Sequence, residues 1–118
     1  MILRNLTAHA VRLIVNGILI FEVASEGVMA RVVDTVGEGQ ALEVTGASAP
    51  IPLRMLAPGA SVQGLPAPEV GVGLVVSRIT AFACPARRDL YFPFDEVRDE
   101  GGRIIGCSAL GRVAAVVG

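Results

Sequence analysis

The chain has 118 residues, of which 53% are hydrophobic and 18% are charged, as is typical of one folded domain rather than of a disordered chain. Ten basic residues, all of them arginine, stand against eleven acidic residues and give a formal net charge of −1. This balance excludes a domain that binds nucleic acid or anionic membranes through its overall charge. Without lysine, Schiff-base chemistry and a pyridoxal-phosphate anchor are also excluded.

Short apolar runs separated by turn residues predict strands throughout the first half of the chain. Asn16-Gly17 lies between two β-branched runs and predicts a hairpin with a type I′ turn, because both residues tolerate a positive φ. The last run of this half contains prolines, which favour an edge strand. The expected strands are residues 2–6, 11–15, 18–23, 28–33, 41–45 and 51–56.

The second half begins with residues 57–68, where three prolines and two glycines predict an extended connection with a defined turn at 62–68. Residues 70–76 are expected to form a buried strand, followed by a helix at 78–84 that Ser77 caps and Pro85 ends. Residues 95–105 are typical of two strands joined by a charged Gly-Gly turn, and 108–117 fit a strand or a helix. We therefore predict one α+β domain over residues 1–118, mainly antiparallel β-sheet with one or two short helices in the C-terminal half.

The cysteine content and the hydropathy pattern indicate the cellular compartment in which the protein is expected. Two cysteines, Cys84 and Cys107, are too few for a disulfide scaffold, and we expect both thiols to be reduced and buried. No apolar run reaches the roughly 18 residues of a membrane span. The N-terminal apolar run is interrupted by Asn16-Gly17 and lacks a convincing cleavage pattern. These features favour a soluble cytoplasmic protein.

Few catalytic arrangements are open to this composition. His9 is the only histidine, which excludes paired-histidine zinc motifs, and a Ser-His-Asp triad would have to use it. The acidic stretch containing Asp95, Glu96, Asp99 and Glu100 permits a carboxylate acid/base or metal site, although a solvated turn is the simpler interpretation. We expect no cofactor and no metal, and a small enzyme acting through His9 or the acidic stretch stays an alternative.

Aromatic residues are concentrated in one part of the chain. Four of the five lie within thirteen residues, and several arginines are close to them in sequence. They could fill the core or a subunit interface, or they could stack on nucleobases beside arginines that bind phosphate. The aromatic residues are Phe82, Tyr91, Phe92 and Phe94, and the neighbouring arginines are Arg87, Arg88, Arg98 and Arg103.

The run Asn5-Leu-Thr-Ala-His9 resembles the Asn-Leu-Thr-Pro-His opening of a widespread group of small phage and prophage proteins, with Ala8 in place of the usual proline. Similar blocks follow in order over nearly the whole chain, at residues 26–32, 62–68, 75–77, 85–90 and 97–107. In these blocks the chain looks like the Thoeris anti-defence sponge family, the first described kind, whose members bind cyclic nucleotide immune signals without cleaving them.

The resemblance implies a small β-rich protomer with helices, pockets for cyclic ADP-ribose isomers at a dimer interface, and dimers that assemble into a hexamer. Some members also hold cyclic oligonucleotides at separate sites. By position it implies that Arg31 and Arg98 bind phosphate, the alternative being surface arginines paired with acids. Asp99 is then expected to orient Arg98 or to accept a hydrogen bond from a ribose hydroxyl. The candidate ligand-binding residues are Arg31, Ser77, Phe82, Arg98, Asp99 and Arg103.

From these features we expect a non-enzymatic binding protein that sequesters cyclic nucleotide signals, with no DNA, RNA or membrane partner. A phage structural or assembly component that forms β-rich multimers is the main alternative. We also expect a homo-oligomer, at least a dimer, because a small domain has too little interior for this many hydrophobic residues.

Overall fold

The computed structural model describes residues 1–34, 36–56 and 61–115, and within them the chain is mostly β-sheet. The strands are β1 (Ile2–Asn5), β2 (Val11–Val15), β3 (Ile18–Val23), β4 (Arg31–Val33), β5 (Val36–Glu38), β6 (Arg54–Leu56), β7 (Ser61–Gln63), β8 (Val72–Val75), β9 (Leu90–Arg98) and β10 (Ile104–Gly111). One helix is present in this described part, α1 (Arg78–Ala83). The sequence fits either a strand or a helix at 108–117, and the structure places residues 108–111 in strand β10. Residues 116–118 lie outside the described chain.

Six of the strands form one mixed sheet in the order β1-β8-β9-β10-β2-β3. The pairs β1/β8, β8/β9 and β10/β2 are parallel, whereas β9/β10 and β2/β3 are antiparallel. The prediction of a mainly antiparallel sheet is therefore only partly confirmed. Parallel partners need long crossover connections, and local turn signals cannot reveal strands that meet across such distances in the sequence.

The main sheet curls so that its two edges meet at one corner. Asn5 at the end of β1 forms a parallel bridge with Ser25, just beyond β3, and the Glu26 N–H donates to the Asn5 carbonyl at 3.0 Å. Register shifts interrupt the β2/β3 and β9/β10 ladders, and such bulges bend strands and increase their twist. Asp95, inside β9, has a φ of 57°, which adds a further local distortion.

The structure contains the two tight turns that the sequence predicts most strongly. Asn16 and Gly17 have φ values of 52° and 77°, and they join β2 to β3 in an antiparallel hairpin. Residues 99–103 likewise form the turn between β9 and β10, with Gly102 at a φ of 81°. Both turns depend on residues that adopt positive φ at little cost.

Among the described residues, the core consists of two small clusters on opposite faces of β8. Leu74 and Val76 pack with residues from α1, β9 and the segment after β1, whereas Val75 faces the β2/β10 side of the sheet. The first cluster contains Leu6, Ala30, Leu74, Val76, Ala81, Leu90 and Phe92, and the second contains Val11, Leu13, Val75 and Cys107.

Helix α1 is held by side chains at its N-terminus. The Ser77 hydroxyl accepts from the Thr80 N–H at 3.2 Å and donates to the Thr80 hydroxyl at 2.9 Å. Thr80 in turn donates to the Ala30 carbonyl at 3.3 Å, which links the helix to the start of β4. In the described residues, no helix is long and apolar enough to cross a membrane.

Two short ladders, β4/β7 and β5/β6, lie outside the main sheet. We use the term arm for residues 36–56, which contain β5, β6, and an isolated Leu42–Ile51 bridge between them. The predicted strand at 41–45 is reduced to that bridge, and the one at 51–56 to the bridge and β6. Pro50 and Pro52 lack the N–H groups that a continuous ladder would need.

An ion pair anchors the connection before β8. The Arg87 guanidinium donates to both Asp89 carboxylate oxygens at 2.8 Å and to the Pro66 carbonyl at 2.9 Å. Both side chains are mostly buried. These hydrogen bonds from Arg87 hold the pKa of the Asp89 carboxyl below its usual range.

Replacing Asp89 with asparagine should lower the free energy of unfolding by about 2 kcal/mol at neutral pH, since hydrogen bonds to charged groups are worth roughly 1.5–3 kcal/mol. Because the pKa of Asp89 is lower in the folded chain, its contribution is complete above the unfolded pKa of about 3.9 and is lost as the pH falls through the folded pKa. Urea unfolding should therefore show a smaller loss on acidification for Asp89→Asn than for the wild type. The exposed Asp34→Asn is the control, and equal losses in wild type and Asp89→Asn would contradict this assignment.

Candidate functional site

Strand β9 carries chemically different side chains along its length. Phe92 is buried, whereas Phe94, Glu96 and Arg98 are exposed. Phe94 and Arg98 are four residues apart, a span of at most about 13 Å in extended backbone. The strand thus connects an aromatic surface at one end to an arginine-bearing turn at the other.

The first part of the candidate site is the arginine–aromatic surface, formed by Arg78, Phe82, Phe92 and Phe94. The Arg78 guanidinium carbon lies 5.4 Å from the Phe92 ring centroid and 5.1 Å from that of Phe94, within cation–π range. The Phe82 and Phe92 centroids are 6.1 Å apart, and the Phe82 side chain is 58% exposed. This surface offers an accessible ring next to a positive charge.

Sequence reasoning selected Phe82 but missed Arg78. A signal was present, because the two residues are four apart and α1 places such residues on the same face. The contact of Arg78 with Phe92 and Phe94, however, depends on how α1 packs against β9. That packing joins segments with no local relation in the sequence.

The second part of the site is the β9–β10 turn, residues 99–103, together with Arg98 at the end of β9. Arg98 donates to the Gly102 carbonyl at 2.8 Å and to a Glu96 carboxylate oxygen at 3.1 Å. Asp99 accepts from the Arg103 N–H at 2.9 Å through its side chain, so it stabilises the turn instead of contacting Arg98. A guanidinium has five N–H donors, and the described contacts of Arg98 use two of them.

A cavity of about 560 Å³ lies on the β2/β10 side of the sheet, where β9 contributes Pro93 and Glu96 to its lining. This volume falls within the range of roughly 300–1,000 Å³ that is typical of small-molecule sites. Its lining combines apolar side chains with one histidine, one arginine and one carboxylate. The lining residues are His9, Ala10, Val11, Arg12, Pro93, Glu96, Ile104, Ile105, Gly106 and Cys107.

Both cysteines have free thiols, but their surroundings differ. Cys107 is buried, as expected, and its thiol donates to the Arg12 carbonyl at 3.6 Å. Burial raises the pKa of the Cys107 thiol, which disfavours the thiolate needed for nucleophilic attack. Cys84 at the end of α1 is only half-buried, so the expected burial is incomplete there.

The remaining candidate residues lie on or beside α1. Ser77 uses its hydroxyl as the helix cap, and Arg31 is exposed on β4, opposite Gln63. In the part of the chain that the structure describes, no hydrogen bond or ion pair joins these residues to the β9–β10 turn. By element, the candidate residues of one protomer fall into two groups. Arg31, Ser77 and Phe82 form the first group, and Arg98, Asp99 and Arg103 form the second.

The acidic stretch is organised as a turn. Glu96 pairs with Arg98, and Asp99 closes the β9–β10 turn. Within residues 1–34, 36–56 and 61–115, no three His, Cys, Asp or Glu side chains are grouped closely enough to hold a metal ion. The contacts of Glu96 and Asp99 agree with the simpler interpretation of this stretch.

Comparison of the chain with models of known protein families, with characterised proteins and with solved structures gives no match. The side-chain chemistry around β9 is therefore the structural basis on which a function is proposed for this chain.

Proposed function

We propose that this protein is a non-enzymatic binding protein that sequesters cyclic nucleotide signals, such as cyclic ADP-ribose isomers or cyclic oligonucleotides. For a phage-encoded protein, such sequestration would block antiphage defence. The observation that carries the proposal is the set of groups along β9: an exposed arginine–aromatic surface, an arginine-bearing turn, and a cavity of about 560 Å³ that Pro93 and Glu96 of this strand help to line.

Each part of this arrangement suits a different part of a nucleotide. An aromatic ring such as that of Phe82 can stack on any nucleobase. The guanidinium of Arg98 can hold two phosphate oxygens at once, and Glu96 already orients it. The carboxylates of Glu96 and Asp99 can accept hydrogen bonds from ribose hydroxyls.

The reactive groups of the cavity support binding without turnover. The raised pKa of the Cys107 thiol keeps it protonated near neutral pH, so it is a poor nucleophile. His9 is exposed at the cavity lining, and in the described structure no carboxylate hydrogen-bonds to its imidazole to orient it as a general base.

The separation of the two residue groups supports pockets shared between copies. A second copy could place the α1 group of one protomer against the β9–β10 turn of the other. The proposed protein is therefore a homo-oligomer, a dimer at least, and the sequence resemblance implies a hexamer.

A subunit of a phage structural assembly is the second candidate. The extended protomer favours it, since a radius of gyration of 18.5 Å exceeds the value of about 13–14 Å for a compact domain of this length. A repeated assembly would cover the surface that such a shape exposes.

Incubation of the purified protein with cyclic ADP-ribose, and separately with cyclic tri-AMP, distinguishes these functions. A sponge should remove the nucleotide from the filtrate and return it chemically intact after heat denaturation, as chromatography and mass spectrometry would show. A changed nucleotide would indicate an enzyme. If both nucleotides pass through the filter unchanged, the assembly subunit is favoured and sequestration of these ligands is ruled out.

Arg98→Ala should weaken nucleotide binding by about 10- to 150-fold, because a charge-assisted hydrogen bond is worth roughly 1.5–3 kcal/mol. The melting temperature should change little, since Arg98 is exposed and surface substitutions are usually mild. Isothermal titration calorimetry measures the affinity, with Arg4→Ala as the control that removes another ion-paired arginine. Unchanged affinity would place the phosphate site elsewhere, and unfolding would make Arg98 a structural residue.

A further inference from the structure

The two-stranded arm exposes a large amount of apolar surface to solvent. The Leu42 and Ile51 backbones exchange hydrogen bonds of 2.8 and 2.9 Å, and β5 pairs with β6. A two-stranded ribbon by itself is at best marginally stable in water. Six hydrophobic side chains of the arm are between 42% and 60% exposed, namely Val36, Leu42, Val44, Ile51, Met55 and Leu56.

The accessible surface area of the protomer is larger than that of a compact monomer of the same mass. Its accessible area is 8289 Å², whereas a compact monomer of 12.2 kDa exposes about 6,100 Å². The difference of roughly 2,200 Å² exceeds the area of about 800 Å² that one partner contributes to a standard protein interface. The surface excess is therefore large enough for a stable association.

A second apolar surface lies on β3, an edge strand of the main sheet. Four consecutive hydrophobic side chains, from Ile18 to Phe21, are at least 44% exposed. Only β2 forms a ladder with this strand in the described structure. An exposed apolar edge tends to pair with another chain unless it is covered.

We infer that the arm of one protomer packs on the β3 edge of a second copy of this chain, and that the second arm returns the contact. The same chain carries both apolar surfaces, so two copies related by a twofold axis can cover both at once and close the assembly. This inference rests on the homo-oligomeric part of the proposed function and is independent of which nucleotide is bound.

Charged substitutions on each surface test the inference. Leu42→Glu in the arm and Ile20→Glu in β3 should each raise the dissociation constant of the assembly by roughly 30-fold or more, because a central interface residue is worth 2 kcal/mol or more. Light scattering coupled to gel filtration should show the loss. Val70→Glu is the control, since Val70 is fully exposed and lies outside both surfaces.

Mixing the two variants provides a sharper test. The Leu42→Glu protein retains an intact β3 edge and the Ile20→Glu protein retains an intact arm, so a mixed pair keeps one complete arm–β3 contact. We expect the mixture to associate more strongly than either variant alone. A monomeric wild type, an Ile20→Glu protein that associates as the wild type does, or a mixture without any gain would each overturn the inference.

Folding and ligand binding are measured separately in the same variants. The arm contributes no residue to the two core clusters, so Leu42→Glu and the milder Met55→Gln should keep the wild-type circular dichroism spectrum. If both variants unfold, the arm belongs to the protomer core and the inference fails. If the wild type associates but cyclic ADP-ribose and cyclic tri-AMP do not bind, the nucleotide function fails while the arm contact stands.

Discussion

Replacement of Asn5 with alanine should lower the free energy of unfolding by about 3 kcal/mol, because each unsatisfied buried polar group costs roughly 1–3 kcal/mol. Asn5 is 0% exposed and lies where the curled sheet closes. Its side-chain amide donates to the His9 carbonyl at 2.8 Å and to the Val23 carbonyl at 3.0 Å. Its side-chain oxygen accepts from the Thr7 N–H at 3.0 Å and from the Thr7 hydroxyl at 2.6 Å.

These four hydrogen bonds explain why asparagine suits this position. The amide supplies two donors to carbonyls and one acceptor to Thr7, so all its groups are satisfied. Alanine would leave the Val23 and His9 carbonyls without this donor and would loosen the junction between β1 and β3. Thermal unfolding should show a decrease of roughly 10 °C in the melting temperature.

Two further variants make this prediction specific. Asn5→Asp preserves the shape but directs a carboxylate at two carbonyl oxygens, so it should be destabilising at neutral pH and less so in acid, where the protonated acid can donate. The exposed Gln40→Ala should leave the melting temperature unchanged. If Asn5→Ala has the stability of the wild type, the amide network does not hold the sheet closed.

Replacement of Gly106 with alanine should lower the free energy of unfolding by about 3 kcal/mol, since overpacking a tight site costs roughly 1–3 kcal/mol and occasionally more. A Cβ atom at Gly106 would lie 2.6 Å from the Arg12 carbonyl oxygen and 3.0 Å from a methyl group of Ile14. The first neighbour is backbone, so β10 and β2 would have to move apart.

The same substitution should also affect ligand binding, because Gly106 and Arg12 both line the cavity. Urea unfolding measures the stability, and calorimetry with cyclic ADP-ribose measures the affinity. Gly37→Ala is the matched control, since nothing lies within 4 Å of a Cβ atom there. Equal stability of the two alanine variants would show that β10 and β2 do not approach as closely as described.

Several features of this fold follow from short stretches of sequence. Asn16-Gly17 forms the predicted hairpin, and the Gly-Gly turn joins two strands as predicted. The buried strand expected at 70–76 is present as β8, with Gly73, Leu74 and Val75 buried. These features are local because the φ preference of a turn residue, or the burial of a continuous apolar run, depends mainly on neighbours in the sequence.

The candidate site was only partly predictable, because its geometry depends on contacts between segments that are distant in the sequence. The sequence indicates arginines and aromatic residues in one region, and the proposed resemblance to the sponge proteins is what points to Arg31 and Arg98. It does not indicate Arg78, whose cation–π partners lie on another element. The cavity was also unpredictable, because β2, β9 and β10 form it from distant parts of the chain.

By itself, the sequence determined the β-rich class, the tight turns and the chemical types of the candidate ligand-binding residues. Only the tertiary structure decided the parallel pairing of β1 with β8 and of β10 with β2, and the incomplete strands of the arm. It also divided the candidate residues between separate elements and, within the described residues, left β3 paired with β2 alone. Turn preferences act over a few residues, whereas strand pairing and burial depend on which distant segments meet, and many pairings satisfy the same local pattern.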